Sequence, residues 1–353
     1  MRQIIRVLLS SIFLFTVLAS IFAQNNKVEV AIIGFYNVEN LFDTIDDPIT
    51  IDEEFLPDGK YKWNSEKYLH KLEQLSFAIS QIGKNVNNIG PTVLGLCEIE
   101  NRLVIEDLIK QPLLKDLNYG IVHYDSPDRR GVDVGMIYQK DRFKVIGSSS
   151  HKVISADTNF LTRDQLLVHG LLDGEEMYFI VNHYPSKRGG EKRSLPKRIE
   201  AAELTRSLYD SLYALNPEVK MIIMGDLNDN PDAIPLSKTL QAKGKISDVK
   251  PGELYNAMFP LYRNGIGSYA WRDTWSMLDN FILSYALLET EDNKNENKGY
   301  QLYAAKVMND SFLIQKSGKF KGYPFRSNAG ANYIGGYSDH FPVYLILSRK
   351  PKQ

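Results

Sequence analysis

The chain has 353 residues, with 42 basic and 43 acidic side chains, a formal charge of −1 at pH 7 and 43% hydrophobic residues. Near-neutrality excludes a general attraction to polyanions, so any affinity for nucleic acid has to come from local clustering of charge. The only cysteine, Cys97, excludes an intramolecular disulfide, and its place in the apolar run Thr92–Cys97 predicts packing rather than nucleophilic chemistry.

At the amino end, Arg2 and Arg6 precede Val7-Leu8-Leu9, Ile12–Phe15 and Val17-Leu18-Ala19, and the small residue Ala23 precedes polar Gln24-Asn25-Asn26. This is the pattern of a cleaved export signal over residues 1–23, and it predicts a periplasmic or extracellular protein; a retained anchor is the alternative. The following 330 residues carry 40 basic against 43 acidic side chains, show no linker or repeat, and are expected to form one domain, 24–353, as a monomer. No later stretch approaches the ~18 apolar residues that would cross a bilayer.

Short apolar, β-branched runs recur at Val28–Phe35, Pro91–Cys97, Val132–Tyr138, Gln165–Leu171, Met177–Val181, Val219–Met224, Phe281–Leu283 and Phe341–Leu347. Their imperfect alternation predicts strands covered on both faces. Helical spacing follows Asn64, a cap candidate, through Tyr68, Leu72, Leu75, Ile79 and Ile82. A second helix is expected from near Pro196 through Ile199, Ala202, Leu208 and Leu212 to Leu215. Within Lys187–Arg198, six of twelve residues are basic, several at the expected start of that helix, where the macrodipole disfavours cations. Such a segment is either a solvated face or a surface that meets phosphates. The polar tract Glu289–Lys298 reads as a solvated loop.

The chemistry-bearing residues collect where strand runs end. Glu98 follows Val93–Cys97, at the edge where open α/β sheets expose ligands, and shares a face with Glu100 if extension continues. In Met224-Gly225-Asp226-Leu227-Asn228, a carboxylate and a neutral amide two residues apart suit an attacking water and a phosphoryl oxygen; an Asx turn is the structural alternative. His183 follows another run, Asp279 begins one, and Asp339-His340 open the last; Asp279 paired with His340 would fix its tautomer. The sequence holds no His-Glu-x-x-His zinc motif, no Gly-x-x-x-x-Gly-Lys loop and no Gly-x-Gly-x-x-Gly fingerprint. Oxygen-rich donors suit Mg²⁺, with Mn²⁺ as its closest substitute.

In order along the chain, Phe35-Tyr36-Asn37-Val38-Glu39-Asn40, Leu96-Cys97-Glu98, His183, Gly225-Asp226-Leu227-Asn228, Asp279 and Ser338-Asp339-His340-Phe341-Pro342 resemble the motifs of the endonuclease/exonuclease/phosphatase superfamily. That superfamily includes deoxyribonuclease-I-like nucleases, abasic-site endonucleases, sphingomyelinases and inositol-polyphosphate phosphatases. The resemblance implies a four-layer α/β sandwich, two mixed sheets face to face with helices outside; composition alone is equally compatible with a doubly wound sheet. It implies Glu98, Asp339 and Asn37 at a metal, and His183, Asp226, Asn228, Asp279 and His340 as catalytic groups. Asn37–Asp43, Arg129–Val134 and Asn182–Ser186 look most like secreted bacterial nuclease-type members, which nominates Arg130 for phosphate contact, a turn ahead of a strand being its alternative role; the basic segment adds Lys187, Arg188, Lys192 and Arg193 as candidate walls of a nuclease groove. Departures are Cys97, Leu227 and Met277-Leu278-Asp279-Asn280, none of which removes a reacting group.

The implied activity is Mg²⁺-dependent phosphodiester hydrolysis, most simply of DNA or RNA. Alternatives are a phosphomonoesterase, a sphingomyelinase-like phospholipid-headgroup hydrolase with Tyr255, Phe259, Tyr262 and Tyr269 as an aromatic rim, or a noncatalytic protein that binds a phosphate ligand.

Overall fold

The computed structural model describes residues 28–290 and 299–350; the expected export signal and residues 291–298 of the polar tract lie outside the described residues. Seventeen strands occur among these residues: β1 (Glu29–Leu41), β2 (Val93–Ile99), β3 (Tyr119–His123), β4 (Asp133–Gln139), β5 (Phe143–His151), β6 (Gln165–Leu172), β7 (Glu175–His183), β8 (Met221–Asp226), β9 (Ala242–Lys243), β10 (Leu254–Asn256), β11 (Tyr269–Trp271), β12 (Thr274–Ser276), β13 (Asp279–Ser284), β14 (Gln301–Val307), β15 (Asn328–Ala329), β16 (Asn332–Tyr333) and β17 (Val343–Arg349). The longer helices are α1 (Ser65–Gln81), α2 (Arg102–Ile109) and α3 (Glu191–Leu215), with a short α4 (Phe259–Arg263).

Two mixed sheets face each other, one in the order β14-β17-β1-β2-β4-β3 and the other β5-β6-β7-β8-β13-β10-β9. The core between them is apolar, with Phe35, Cys97, Met136, Phe179, Met224 and Phe281 all fully buried. Outside the first sheet, Leu72, Leu75 and Ile79 of α1 and Ile105 of α2 cover Ile32, Leu94 and Ile137. Outside the second, Ala202 and Tyr209 of α3 cover Ile180 and Ile223. Strands enclosed on both faces have no solvent side to mark with polar residues, which is why their sequences alternate so poorly. The architecture is the α/β sandwich, not the doubly wound sheet.

Each sheet holds one central parallel pair, β1 with β2 and β7 with β8, and both pairs end at the same edge of the sandwich. Asn37 lies beside Cys97 in the first, and His183 beside Asp226 in the second. The strands run one or two residues past the apolar runs that predicted them, six in β1, so Glu98 and Asp226 belong to their strands.

The cap on α1 is Asn64, which accepts from the Lys67 amide at 3.1 Å, and Asn101 caps α2 through the Val104 amide, also at 3.1 Å. The expected start of α3 near Pro196 is corrected: the helix begins at Glu191, and Pro196 lies inside it. An interior proline forfeits a helix hydrogen bond, and the turn is held instead by Arg198, fully buried, whose Nη1 donates to Ser194 Oγ at 2.8 Å and whose Nε donates to Asp229 at 2.6 Å. The buried stripe is Ala201, Ala202, Thr205 and Tyr209, while Leu215 is exposed. Tyr255, expected on an aromatic rim, packs in the inter-sheet core instead, because β10 pairs with β13 and turns it inward.

Candidate active site

At the shared edge lies a cleft of about 550 Å³, lined among others by Glu98, His183, Asp226, Asn228, Asp339 and His340. Arg130, Lys187 and Arg188 form part of its wall, facing Tyr269 and Trp271 of the β11–β12 hairpin. Asn37 and Asp279 are buried behind this surface rather than on it. Residues separated by three hundred positions are thus brought together by two sheets ending at one place.

Asp226 sits at the centre. Its Oδ2 accepts from Asn37 Nδ2 at 3.1 Å and lies 3.6 Å from His183 Nε2 and 3.9 Å from His340 Nε2. Gly225 permits this approach: a Cβ there would stand 2.3 Å from the Asn182 carbonyl oxygen on β7. Burial, then the nearby Asp279 and Glu98 carboxylates, raise the Asp226 pKa to about 7, although His340 opposes them.

The two histidines are held in opposite states. Burial and the Arg163 and Arg130 guanidiniums push His183 well below its usual value, so it is neutral at pH 7. Burial also disfavours charge on His340, but its Nδ1 bonds Asp279 Oδ2 at 2.7 Å, and that carboxylate with Asp226 and Asp339 holds its pKa well above the usual value. His340 is held further by its own amide, which donates to Ser338 Oγ at 3.1 Å, while that hydroxyl donates to the Asn37 carbonyl at 2.7 Å. The closing segment is in this way tied to the first strand.

Glu98 and Glu100 do not share a face. A bulge puts Glu98 at φ +61°, where its Oε2 accepts from the Asn40 amide at 3.1 Å and its Oε1 lies 3.9 Å from His183 Nε2. Glu100 accepts from the Asp43 amide at 2.6 Å, and burial lifts its pKa to about 8. Asn228 does not continue an extended stretch either. It adopts φ +52°, its amide donates to Asp226 Oδ1 at 2.9 Å as in an Asx turn, and its Nδ2 donates to the Tyr184 carbonyl at 3.0 Å, leaving one amide hydrogen toward the cleft.

Arg130 stands in a turn before β4, its amide donating to Asp128 Oδ1 at 2.9 Å and its side chain partly exposed. Lys187 pairs with Asp229 and Glu191, both at 3.2 Å, whereas Arg188 is exposed and has no ion pair among the described residues.

Three groups lay outside the sequence reading. Buried Glu39 accepts from the Ser327 amide at 2.6 Å, and fully buried Lys71 donates to Ser327 Oγ and to the Tyr337 carbonyl, the latter at 2.7 Å. Both act behind Asp339. Lys71 falls on the buried stripe of α1 between Tyr68 and Leu72, a lysine where an apolar residue is due, and that was its available signal. Asp229 neutralises buried Arg198.

Among the described residues, two groups bring three donor atoms within 4.8 Å of one another, as a divalent ion requires: Asp226 and His340 of the cleft with Asp279 behind them, and His123, Asp125 and Asp133 away from it. No helix among the described residues is long and apolar enough to cross a membrane.

Solved structures share this fold. An endonuclease/exonuclease/phosphatase family protein from Bacteroides thetaiotaomicron superposes with a TM-score of 0.55 at 15% identity, covering 92% of this chain and 100% of that one. A mannosyl-6-phosphatase from the same species gives 0.53 at 14% identity, over 90% and 99% of the two chains. TDP2 from D. rerio, complexed with a single-strand DNA product, gives 0.54 at 14% identity, also over 90% and 99%. No curated protein matches the sequence. The model of the Endonuclease/Exonuclease/phosphatase family matches residues 32–349, spanning both sheets and every cleft residue described, and the chain belongs to that family.

Proposed function

We propose that the protein is an exported, divalent-metal-dependent phosphodiesterase, a nuclease of the secreted bacterial type acting on DNA or RNA. The observation that carries the diester reading is the cationic wall of the cleft. Arg130 and Arg188 stand beside the reacting groups, where a second ester arm of the substrate would carry further negative charge. Export rests on the pattern of the first 23 residues.

Glu98, Asp226, Asp279 and Asp339 crowd carboxylates into this region, and among the described residues none is ion-paired to a lysine or arginine. That excess of hard oxygen donors fits Mg²⁺ or Mn²⁺. Glu98 and Asp339 would hold the ion, with Asn37 supporting from behind; when bound it supplies Lewis-acid polarisation of a phosphoryl oxygen. The Asp226–Asp279–His340 group is read as proton chemistry rather than an ion cage, because Asp279 Oδ2 and His340 Nδ1 are already bonded to each other.

In this reading Asp226, with its raised pKa, takes a proton from the attacking water at Oδ2. Asn37 fixes that carboxylate. His340, kept as an imidazolium by Asp279, neutralises charge on the phosphoryl group and donates its Nε2 proton to the departing oxygen. Neutral His183 and the free amide hydrogen of Asn228 donate to phosphoryl oxygens.

A second reading has its own observation. Trp271 is 55% exposed and Trp275 37% on the hairpin beside the cleft, an apolar edge that a phospholipid-headgroup hydrolase would use. Turnover of DNA, RNA, bis-p-nitrophenyl phosphate, p-nitrophenyl phosphate and sphingomyelin vesicles, each with Mg²⁺ and with EDTA, separates the readings. Diester cleavage abolished by EDTA is expected. Turnover of the monoester alone, or of vesicles alone, would replace the diesterase reading, and activity undiminished by chelation would remove the metal.

A further inference from the structure

The basic segment of the sequence shapes a second depression. Where Ser186 and Arg188 leave the cleft, they also line a groove of about 370 Å³ whose walls include Phe160, Leu161, Arg163, Arg193 and Lys197. The two depressions thus lie on either side of one shared wall, Ser186 and Arg188.

Three properties of this groove point to one ligand chemistry. First, Arg188 and Arg193 are exposed and have no carboxylate partner among the described residues, whereas Lys187 and Lys197 beside them are paired, to Asp229 and Asp157. Secondly, Arg163 is buried in the groove wall. Its Nη1 donates to Asp128 at 3.0 Å and its Nη2 to the Tyr184 carbonyl at 2.7 Å, but its buried Nε has no acceptor. A buried N–H without a partner costs about 1–3 kcal/mol, and no acceptor among the described residues meets this one. Thirdly, these cations stand on and around the first turns of α3, at the helix end where the macrodipole already adds positive potential. Arg188 and Arg193 gain no ion pair from folding there, and an anion gains from both. The Phe160 ring, with Lys197 Nζ 3.7 Å from its centroid, adds an aromatic surface to the same groove.

We propose that this groove binds the phosphodiester next to the scissile one, so that a nucleic-acid strand runs from the cleft across Arg188 and along Arg193 and Lys197. The proposal deepens the phosphodiesterase reading and rests on it for the position of the scissile bond. A small diester such as bis-p-nitrophenyl phosphate has no second phosphate and does not reach the groove.

The test pairs binding with turnover. A labelled deoxythymidylate octamer is titrated in EDTA by fluorescence anisotropy at several salt concentrations, with a uridylate octamer in parallel, and bis-p-nitrophenyl phosphate turnover is measured with Mg²⁺. Arg193→Ala with Lys197→Ala should weaken binding of at least one octamer by about tenfold and lower its slope of log K against log salt by about 1.4, roughly 0.7 for each cation removed. Turnover of the small diester should stay within about twofold. Arg193→Glu alone should weaken octamer binding too, and circular dichroism checks that the fold is kept. Failure of the wild type to bind either octamer, unchanged affinity and slope in the variants, or an equal loss on octamer and small diester would each overturn the groove. Groove-dependent binding by a wild type that hydrolyses no diester would leave the groove standing and remove the catalytic reading.

Discussion

Two histidine–carboxylate pairs occur in this molecule with similar geometry, and their surroundings differ. His340 Nδ1 meets Asp279 at 2.7 Å; His123 Nε2, at the end of β3, meets Asp133 at 3.0 Å. Both imidazoles are nearly buried. Behind His340, Asp279 has one oxygen without a partner, and the second nitrogen of the ring faces Asp226 across the cleft. Asp133 instead has both oxygens occupied, one by His123 and the other by the Ser126 amide at 2.9 Å and the Ser126 hydroxyl. The free nitrogen of His123 faces only Asp125, 3.9 Å away and itself 90% exposed. A histidine–aspartate bond therefore says little by itself. What separates a reacting pair from a structural one is an unmet group on the far side of the ring.

The sharpest way to break this comparison is to remove each imidazole. His340→Ala should lower kcat on a diester by about a thousandfold, since general acid–base groups contribute about 10²–10⁴. Asp226→Ala should do the same. The corresponding change at His123 should leave kcat within about twofold. Equal losses at the two histidines would mean that the cleft has been assigned to the wrong end of the molecule.

A smaller effect sharpens the role of Asp279. Asp279→Asn keeps a side chain able to hydrogen-bond His340 but removes the charge that holds the imidazolium, so the His340 pKa falls. If His340 reacts as its protonated form, the wild-type pH profile rises as Asp226 ionises near pH 7 and declines only where His340 loses its proton. In Asp279→Asn the declining limb should move to lower pH by about one unit or more, with kcat at pH 7 reduced about ten- to a hundredfold. A profile with the same alkaline limb and a uniformly lower rate would make Asp279 merely structural.

Much of this site was legible because each strand run announces its own end. Glu98, His183, Asp226 and Asp279 could be placed from apolar runs alone, and the pairing of Asp279 with His340 followed from their chemistry, in agreement with the family motifs. What could not be read was the backbone after each run. The left-handed conformation at Glu98 goes with a contact to Asn40, far away in sequence, whereas that at Asn228 closes the Asx turn that stood as the alternative and is joined by a bond to the distant Tyr184 carbonyl. Nine strands carry no predicted run: β9, β10, β11, β12, β15 and β16 are only two or three residues long, and β3, β5 and β14 are longer, the last two only half buried along much of their length, so they carry little apolar signal. Glu39 and Lys71 are satisfied by Ser327 and Tyr337 across more than 250 positions, and no local pattern marks such a contact. The start signal at Asn64 was dependable because it is local, while the start of α3 was misplaced because a proline usually opens a helix and here lies within one.

The smallest expected effect concerns the structural pair itself. His123→Ala takes one donor from Asp133 and leaves a cavity where a nearly buried ring had been, but the Ser126 amide and hydroxyl still satisfy the other carboxylate oxygen. The loss should therefore be that of one hydrogen bond to a charged group, about 1.5–3 kcal/mol, seen as a lower midpoint in denaturant unfolding. The pH dependence has a definite sign. Burial raises the Asp133 pKa above its unfolded value, with the His123 and Ser126 bonds opposing that rise. Its contribution to stability is therefore fully present below the unfolded carboxyl pKa and is lost as pH increases through the higher folded value. Removing His123 removes part of what opposes the rise, so the variant should lose stability over a wider span of increasing pH than the wild type. If His123→Ala instead unfolds normally and loses diester turnover, or if added Mg²⁺ stabilises the wild type but not His123→Ala against denaturant, then His123, Asp125 and Asp133 form a working ion site and the contrast with His340 is one of ligand, not of role.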